Sequence, residues 1–101
     1  MSKIAVFAKI TAQADKIDVV QGMLEKLVDS TASEDGTLLY ALNQDAGAPE
    51  TFWVFEYYRD NDALAAHSGS ATMAEAFTVL ADALEGPPLL VTANPVRSKG
   101  L

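Results

Sequence analysis

The chain has 101 residues, 50% of them apolar and 21% charged, and its fourteen acids against seven bases leave a net charge of -7. That is enough chain for one domain with a modest core, and its negative balance argues against nucleic acid or an anionic membrane as a partner. With no cysteine in the sequence, disulfides, thiolate chemistry and sulfur-ligated metals are excluded.

No basic segment leads into an apolar one near the start, and no apolar run approaches the roughly 18 residues of a membrane span. The cytoplasm is the expected location. Lys3 to Thr11 reads as a strand, with Ile4, Val6, Ala8 and Ile10 on one face and Ala5, Phe7 and Lys9 on the other. From Ala14 the period changes: Ile17, Val20, Leu24, Leu27, Val28 and Thr31 form one stripe, which predicts an amphipathic helix of about five turns. Glu34-Asp35-Gly36 ends it, Gly36 being suited to the left-handed conformation that closes a helix.

Thr37 to Gln44 is the second strand, Asp45 to Pro49 a turn-rich loop, and Thr51 to Tyr58 the third strand, hairpinned to the second. Along the third strand Phe52, Val54, Glu56 and Tyr58 share one side and Trp53, Phe55 and Tyr57 the other. Asp60-Asn61-Asp62 supplies caps for a short helix ending near His67, and Ser68-Gly69-Ser70 interrupts it. Ser70 then caps a second segment that buries Met73, Phe77, Leu80 and Leu84. Gly86-Pro87-Pro88 stops that helix, and Leu89 to Val96 is a last strand whose Pro95 marks an edge or a terminus.

Strand, helix, strand, strand, helix, strand is the order of an α+β, ferredoxin-like βαββαβ domain occupying residues 1–101. Two helices cover one face of its four-stranded antiparallel sheet. The other face keeps large apolar groups, a patch beyond what soluble monomers usually expose, so a sheet-to-sheet homodimer is expected. The interior cavity of each copy then lies between its own sheet and helices.

Glu56 is an acid between Phe55 and Tyr57, and a buried charge of that kind needs water or a partner. His67 is the first candidate; Arg59 and Lys9 are the structural alternatives. His67 is also the natural general base for a phenolic or enolic proton, with a pocket-lining, packing or capping role as the other reading. Tyr58 shares the Glu56 face and reads either as a donor to a developing oxyanion or as a core aromatic. Trp53 and Phe55 read as interface anchors, and Met73 and Phe77, at helical spacing, as helix core. No carboxylates are spaced as a metal cluster, one histidine makes a poor transition-metal site, and no glycine-rich nucleotide fingerprint follows a strand.

Glu34-Asp35-Gly36 followed by Leu38 and Tyr40, Pro49 in the hairpin loop, Phe52 to Tyr58 with an acid at Glu56, His67 in the next helix and Gly86-Pro87-Pro88 before the last strand together resemble the antibiotic biosynthesis monooxygenase domain family. That resemblance implies a dimeric α+β barrel and a cofactor-independent monooxygenase acting on a small electron-rich aromatic, quinol- or anthrone-like, in which the deprotonated substrate itself reduces dioxygen. It implies His67, Glu56 and Tyr58 as catalytic residues and Val54, Leu64, Met73 and Phe77 as substrate-binding wall. Thr72 stands where many relatives have a second histidine, Val54 where anthrone oxygenases carry an asparagine, and Phe77 near the iron ligand of haem-degrading relatives. No haem, other cofactor or metal is therefore expected. The alternative function is a dimeric binding module that holds a small apolar metabolite without turning it over.

Overall fold

The apolar alternation of the first strand is realised in β1 (Ile4–Thr11), where Ile4, Val6, Ala8 and Ile10 are buried and Lys9 is exposed. In the computed structural model, which describes residues 2–101, it is followed by α1 (Ile17–Ser30), a 3-10 turn (Thr31–Ser33), β2 (Thr37–Asp45), β3 (Ala48–Tyr58), α2 (Asn61–Ser68), α3 (Ala71–Leu80) and β4 (Leu89–Ala93). The sheet order is β2-β3-β1-β4 with every neighbour antiparallel, the ferredoxin-like arrangement. β4 is thus an edge strand, ending two residues before Pro95.

Several details differ from the sequence expectation, among them the last strand, which ends at Ala93 and not Val96, and α3, which ends at Leu80 before Leu84. α1 is 14 residues, nearer four turns than five. At its end Ser30 and Thr31 donate their hydroxyls to the carbonyls of Leu27 and Val28, at 2.8 and 2.7 Å, satisfying acceptors of the last turn as the chain tightens into the 3-10 turn. Gly36 does not adopt a left-handed conformation; a Cβ on it would collide with the Cβ of Ala63 in α2, so the glycine is there for close approach. Pro49 belongs to β3 rather than to a loop, and β2 and β3 turn tightly between Asp45 and Ala48.

The two short helices are capped where the sequence places the caps. Asp60 accepts from the Ala63 amide at 2.9 Å and Ser70 from the Met73 amide at 3.2 Å. All three helices lie on one face of the sheet. Val20, Met23, Leu24 and Leu27 of α1 and Ala76 of α3 pack there on Ala8, Ile10, Phe52 and Val54, while Ala63 and Leu64 of α2 pack on Ile4, Val6 and Tyr58. Bonds from the Gln13 amide to the Ala83 carbonyl (2.9 Å) and from the Glu85 amide to that of Thr11 (2.8 Å) tie the segment after α3 to the end of β1.

The opposite face carries Phe7, Leu39, Trp53, Phe55, Tyr57 and Val91, with Phe55 40% exposed and packed edge-on against Phe7 at 5.8 Å. No described helix covers it. Its polar margin is Lys9 over the Trp53 ring, 5.5 Å from the centroid, and Asp45, which accepts from Trp53 Nε1 at 2.8 Å. The Trp53 bond, more than any other contact, holds the Asp45 carboxyl below its usual range.

Candidate active site

Between the sheet and the helices lies a cavity of about 570 Å³, inside the ~300–1,000 Å³ range of small-molecule sites. Its walls are apolar for most of their extent, drawn from β1 (Val6, Ala8, Ile10), α1 (Leu24, Leu27) and the segment around Leu84 and Pro87. The expected wall residues Val54, Leu64, Met73 and Phe77 all line it. Phe77 is nonetheless 71% exposed and not the core residue that its spacing predicted; the small Ala76 takes the buried position of α3 instead.

The polar side chains on the cavity wall are those of His67, Tyr40 and Glu56, with Ser68 and Thr92. His67 comes from the last turn of α2 and is 1% exposed, its ring lying 5.0 Å from that of Tyr40 and 5.5 Å from that of Tyr58. Nδ1 lies 2.9 Å from Oε1 of Glu34, and Nε2 is buried with no hydrogen-bond partner among the described residues. The expected pairing of His67 with Glu56 is therefore replaced by one with Glu34, an acid in the turn before β2.

Glu56 finds its partner on its own strand: Tyr58 donates its hydroxyl to Glu56 Oε1 at 2.5 Å. Neither structural alternative holds, since Lys9 points to the far face over Trp53 and Arg59 reaches Asp60 at 3.5 Å. Burial raises the Glu56 pKa, opposed by the Tyr58 bond and by the charge of His67. Tyr58 is fully buried and absent from the cavity wall, so its hydroxyl supports Glu56 and is not presented to a ligand. Burial first, and then that bond, holds the Tyr58 hydroxyl far above the ordinary tyrosine range.

Sequence reasoning missed Tyr40 as the phenol that faces the cavity. It sits opposite Glu56 in the β2–β3 register, and its hydroxyl has no hydrogen-bond partner among the described residues. Burial, then the charges of Glu56 and Glu34, keeps it protonated well above the usual tyrosine value, which leaves it a donor. The site thus combines an unpaired imidazole nitrogen, a free phenol and a supported carboxyl at one part of a greasy chamber. Among the described residues no three His, Asp or Glu side chains converge as a metal-ligand set.

The profile of the family described as Antibiotic biosynthesis monooxygenase matches residues 3–79. The chain belongs to this family. Its fold is similar to that of Rv0793 from Mycobacterium tuberculosis, 26% identical over 96% of this chain and 98% of that one, with a TM-score of 0.90. PA3566 from Pseudomonas aeruginosa is 23% identical over 96% and 97% of the two chains (TM-score 0.89) and is similar in fold alone. A candidate antibiotic biosynthesis monooxygenase from Caulobacter crescentus CB15 is 25% identical over 95% and 92% (TM-score 0.89). No curated protein matches the sequence. Among the described residues no helix is long and apolar enough to cross a membrane.

Proposed function

We propose that this family member is a cofactor-independent monooxygenase acting on a small electron-rich aromatic of the quinol or anthrone kind, with His67 as general base. One observation carries this reading: the chain's one histidine is buried on the wall of an apolar cavity with Nε2 unpaired. A buried polar atom left without a partner is costly, and a ligand hydroxyl hydrogen-bonded to Nε2 would relieve that cost.

In an anthrone-like substrate, Nε2 takes the proton of the enol hydroxyl and Tyr40 donates to the oxyanion that forms. The electron-rich anion passes one electron to dioxygen, and the resulting radical and superoxide join at the ring carbon. The peroxide anion so formed takes back the proton held on Nε2, and the hydroperoxide then loses water to leave a carbonyl. One oxygen atom ends in the product and the other in water, the carbon supplying all the electrons that dioxygen takes up. The protein's part is a dry chamber, a base and a hydrogen-bond donor. We also infer that two copies pair through the bare sheet face, the solution that removes its apolar groups from water.

The alternative, a binding module without turnover, is the reading that a solvent-facing His67 would favour, and the ring is 1% exposed. Oxygen uptake with a panel of quinols and anthrones, with no added metal or flavin, tests the proposal. At least one substrate is expected to outpace buffer, and H67A to lose on the order of 10²–10⁴ of that rate. A panel with no rate above buffer, or H67A as fast as wild type, overturns it.

A further inference from the structure

Glu34 and His67 are separated by 33 positions in sequence yet share a 2.9 Å contact, and the turn that brings them together is itself tightly built. The Glu34 amide donates to the Thr31 carbonyl (2.9 Å), the Thr37 amide to the Glu34 carbonyl (3.1 Å), and Thr37 Oγ1 to Glu34 Oε1 (2.8 Å). The turn is also bonded to the link between β3 and α2, the Arg59 amide donating to the Gly36 carbonyl at 2.9 Å. Gly36 rests on Ala63 so closely that any side chain would collide with it. Ala63 and His67 are four apart in α2, one above the other on the same face of the helix. The contact that demands glycine at position 36 therefore sets how near Glu34 comes to the imidazole.

We propose that Glu34 is the positioning residue of His67, holding it as the Nδ1–H tautomer with Nε2 as the free acceptor, and that Gly36 is what allows the Glu34 turn to dock on α2. The chemistry follows from donor counting. An ionised carboxylate only accepts hydrogen bonds, so the ring nitrogen 2.9 Å from it carries the proton. The opposite tautomer would set a lone pair against the carboxylate and leave Nε2–H as a buried donor without an acceptor. The arrangement matches the carboxylate–imidazole half of a catalytic triad, in which the acid fixes orientation and tautomer and the far nitrogen acts as base. Its catalytic consequence rests on His67 being the base proposed above; the tautomer itself does not.

Because the chain has a single histidine, the imidazole ¹⁵N spectrum of the full protein reports on this ring alone. It is recorded about two pH units above the ordinary histidine pKa of ~6.5, where a free imidazole is neutral. The wild type is expected in the Nδ1–H form, and E34A is expected to move toward Nε2–H. G36A should move it in the same direction without removing either partner, and G36A/A63G, which clears the colliding Cβ, should restore the wild-type spectrum. On a substrate that the wild type oxidises, E34A is expected to lower kcat at least tenfold with little change in KM. A wild-type ring in the Nε2–H form, or an E34A spectrum unchanged from wild type, overturns the proposal, and the first result needs no variant to fold. A wild-type Nδ1–H ring with no oxygen uptake on any substrate would instead defeat the monooxygenase reading and leave the positioning of His67 standing.

Discussion

Tyr58 and Glu56, two positions apart on one face of β3, are joined by a 2.5 Å hydrogen bond from the phenol to the carboxyl. An acid seated in an apolar layer is thus satisfied by its own strand, although burial still leaves its pKa raised. A raised pKa means that the folded protein holds the proton more tightly than the unfolded chain. The Glu56 contribution to stability is complete below the ordinary glutamate value of ~4.3 and is lost as pH climbs through the folded pKa. E56Q, which cannot titrate, is therefore expected to gain stability relative to wild type as pH rises from about 4 to about 8. Urea unfolding at several pH values checks this; a difference that is flat or runs the other way refutes it.

Removing the donor gives the complementary result. Y58F leaves the carboxyl buried without its partner and is expected to cost about 1–3 kcal/mol. Because Tyr58 does not line the cavity, the KM of an oxidised substrate should change little, whereas Y40F should lower kcat. Equal effects of the two substitutions on turnover would contradict these assignments.

α2 has only eight residues, too few to be stable alone, yet it carries His67. Its cap therefore matters beyond stability. D60A removes the bond to the Ala63 amide and is expected to cost about 1 kcal/mol. The Arg59 pair lost with it is long, at 3.5 Å, and exposed at its arginine end, and adds little. Faster amide exchange confined to residues 61–68 would accompany the loss, and an unchanged unfolding midpoint would count against it.

The bare sheet face makes a separate prediction. Phe55 sits in its middle on β3 and is 40% exposed in the single chain. F55E, which would bury two like charges in a symmetric contact, is expected to yield monomers in light scattering at micromolar concentration where the wild type is a dimer. A monomeric wild type would remove the pairing altogether.

The cavity wall contains Glu56 but no lysine or arginine. A ligand carboxylate would enter with no lysine or arginine to meet it, next to an acid and with Glu34 behind His67. Neutral phenols are expected to bind at least tenfold, or about 1.4 kcal/mol, more tightly than their ring-carboxylated analogues. Titration calorimetry on matched pairs such as a naphthol and its hydroxynaphthoic acid decides this; equal affinity would refute it.

Periodicity carried the fold well because the side chains that define it are unambiguous. Ile4, Val6, Ala8 and Ile10 alternate, the α1 stripe repeats, and Asp60 and Ser70 stand where caps are needed. The site was only half legible. His67 and Glu56 attract notice as polar groups among apolar ones, but their partners depend on long-range register. Counting back from the Asp45–Ala48 turn sets Tyr40 opposite Trp53, on the wrong face. The irregularity between Gln44 and Asp45 shifts the pairing so that Tyr40 meets Glu56 instead. Glu34 was hidden for another reason. In sequence it is part of an acidic stop after α1, and only the docking of Gly36 on Ala63 brings that stop to the histidine. Phe77 misled because helical spacing does not say which flank of a helix meets the sheet; Ala76 takes the buried position and the Phe77 ring is left exposed at the cavity wall.

The chamber and the bare face lie on opposite sides of a single sheet. In the proposed pair, the two chambers would therefore stand back to back, each with its own mouth and its own histidine, separated by a double layer of strands. Such a pair would work as two independent vessels sharing a wall, and filling one would leave the other's appetite for substrate untouched.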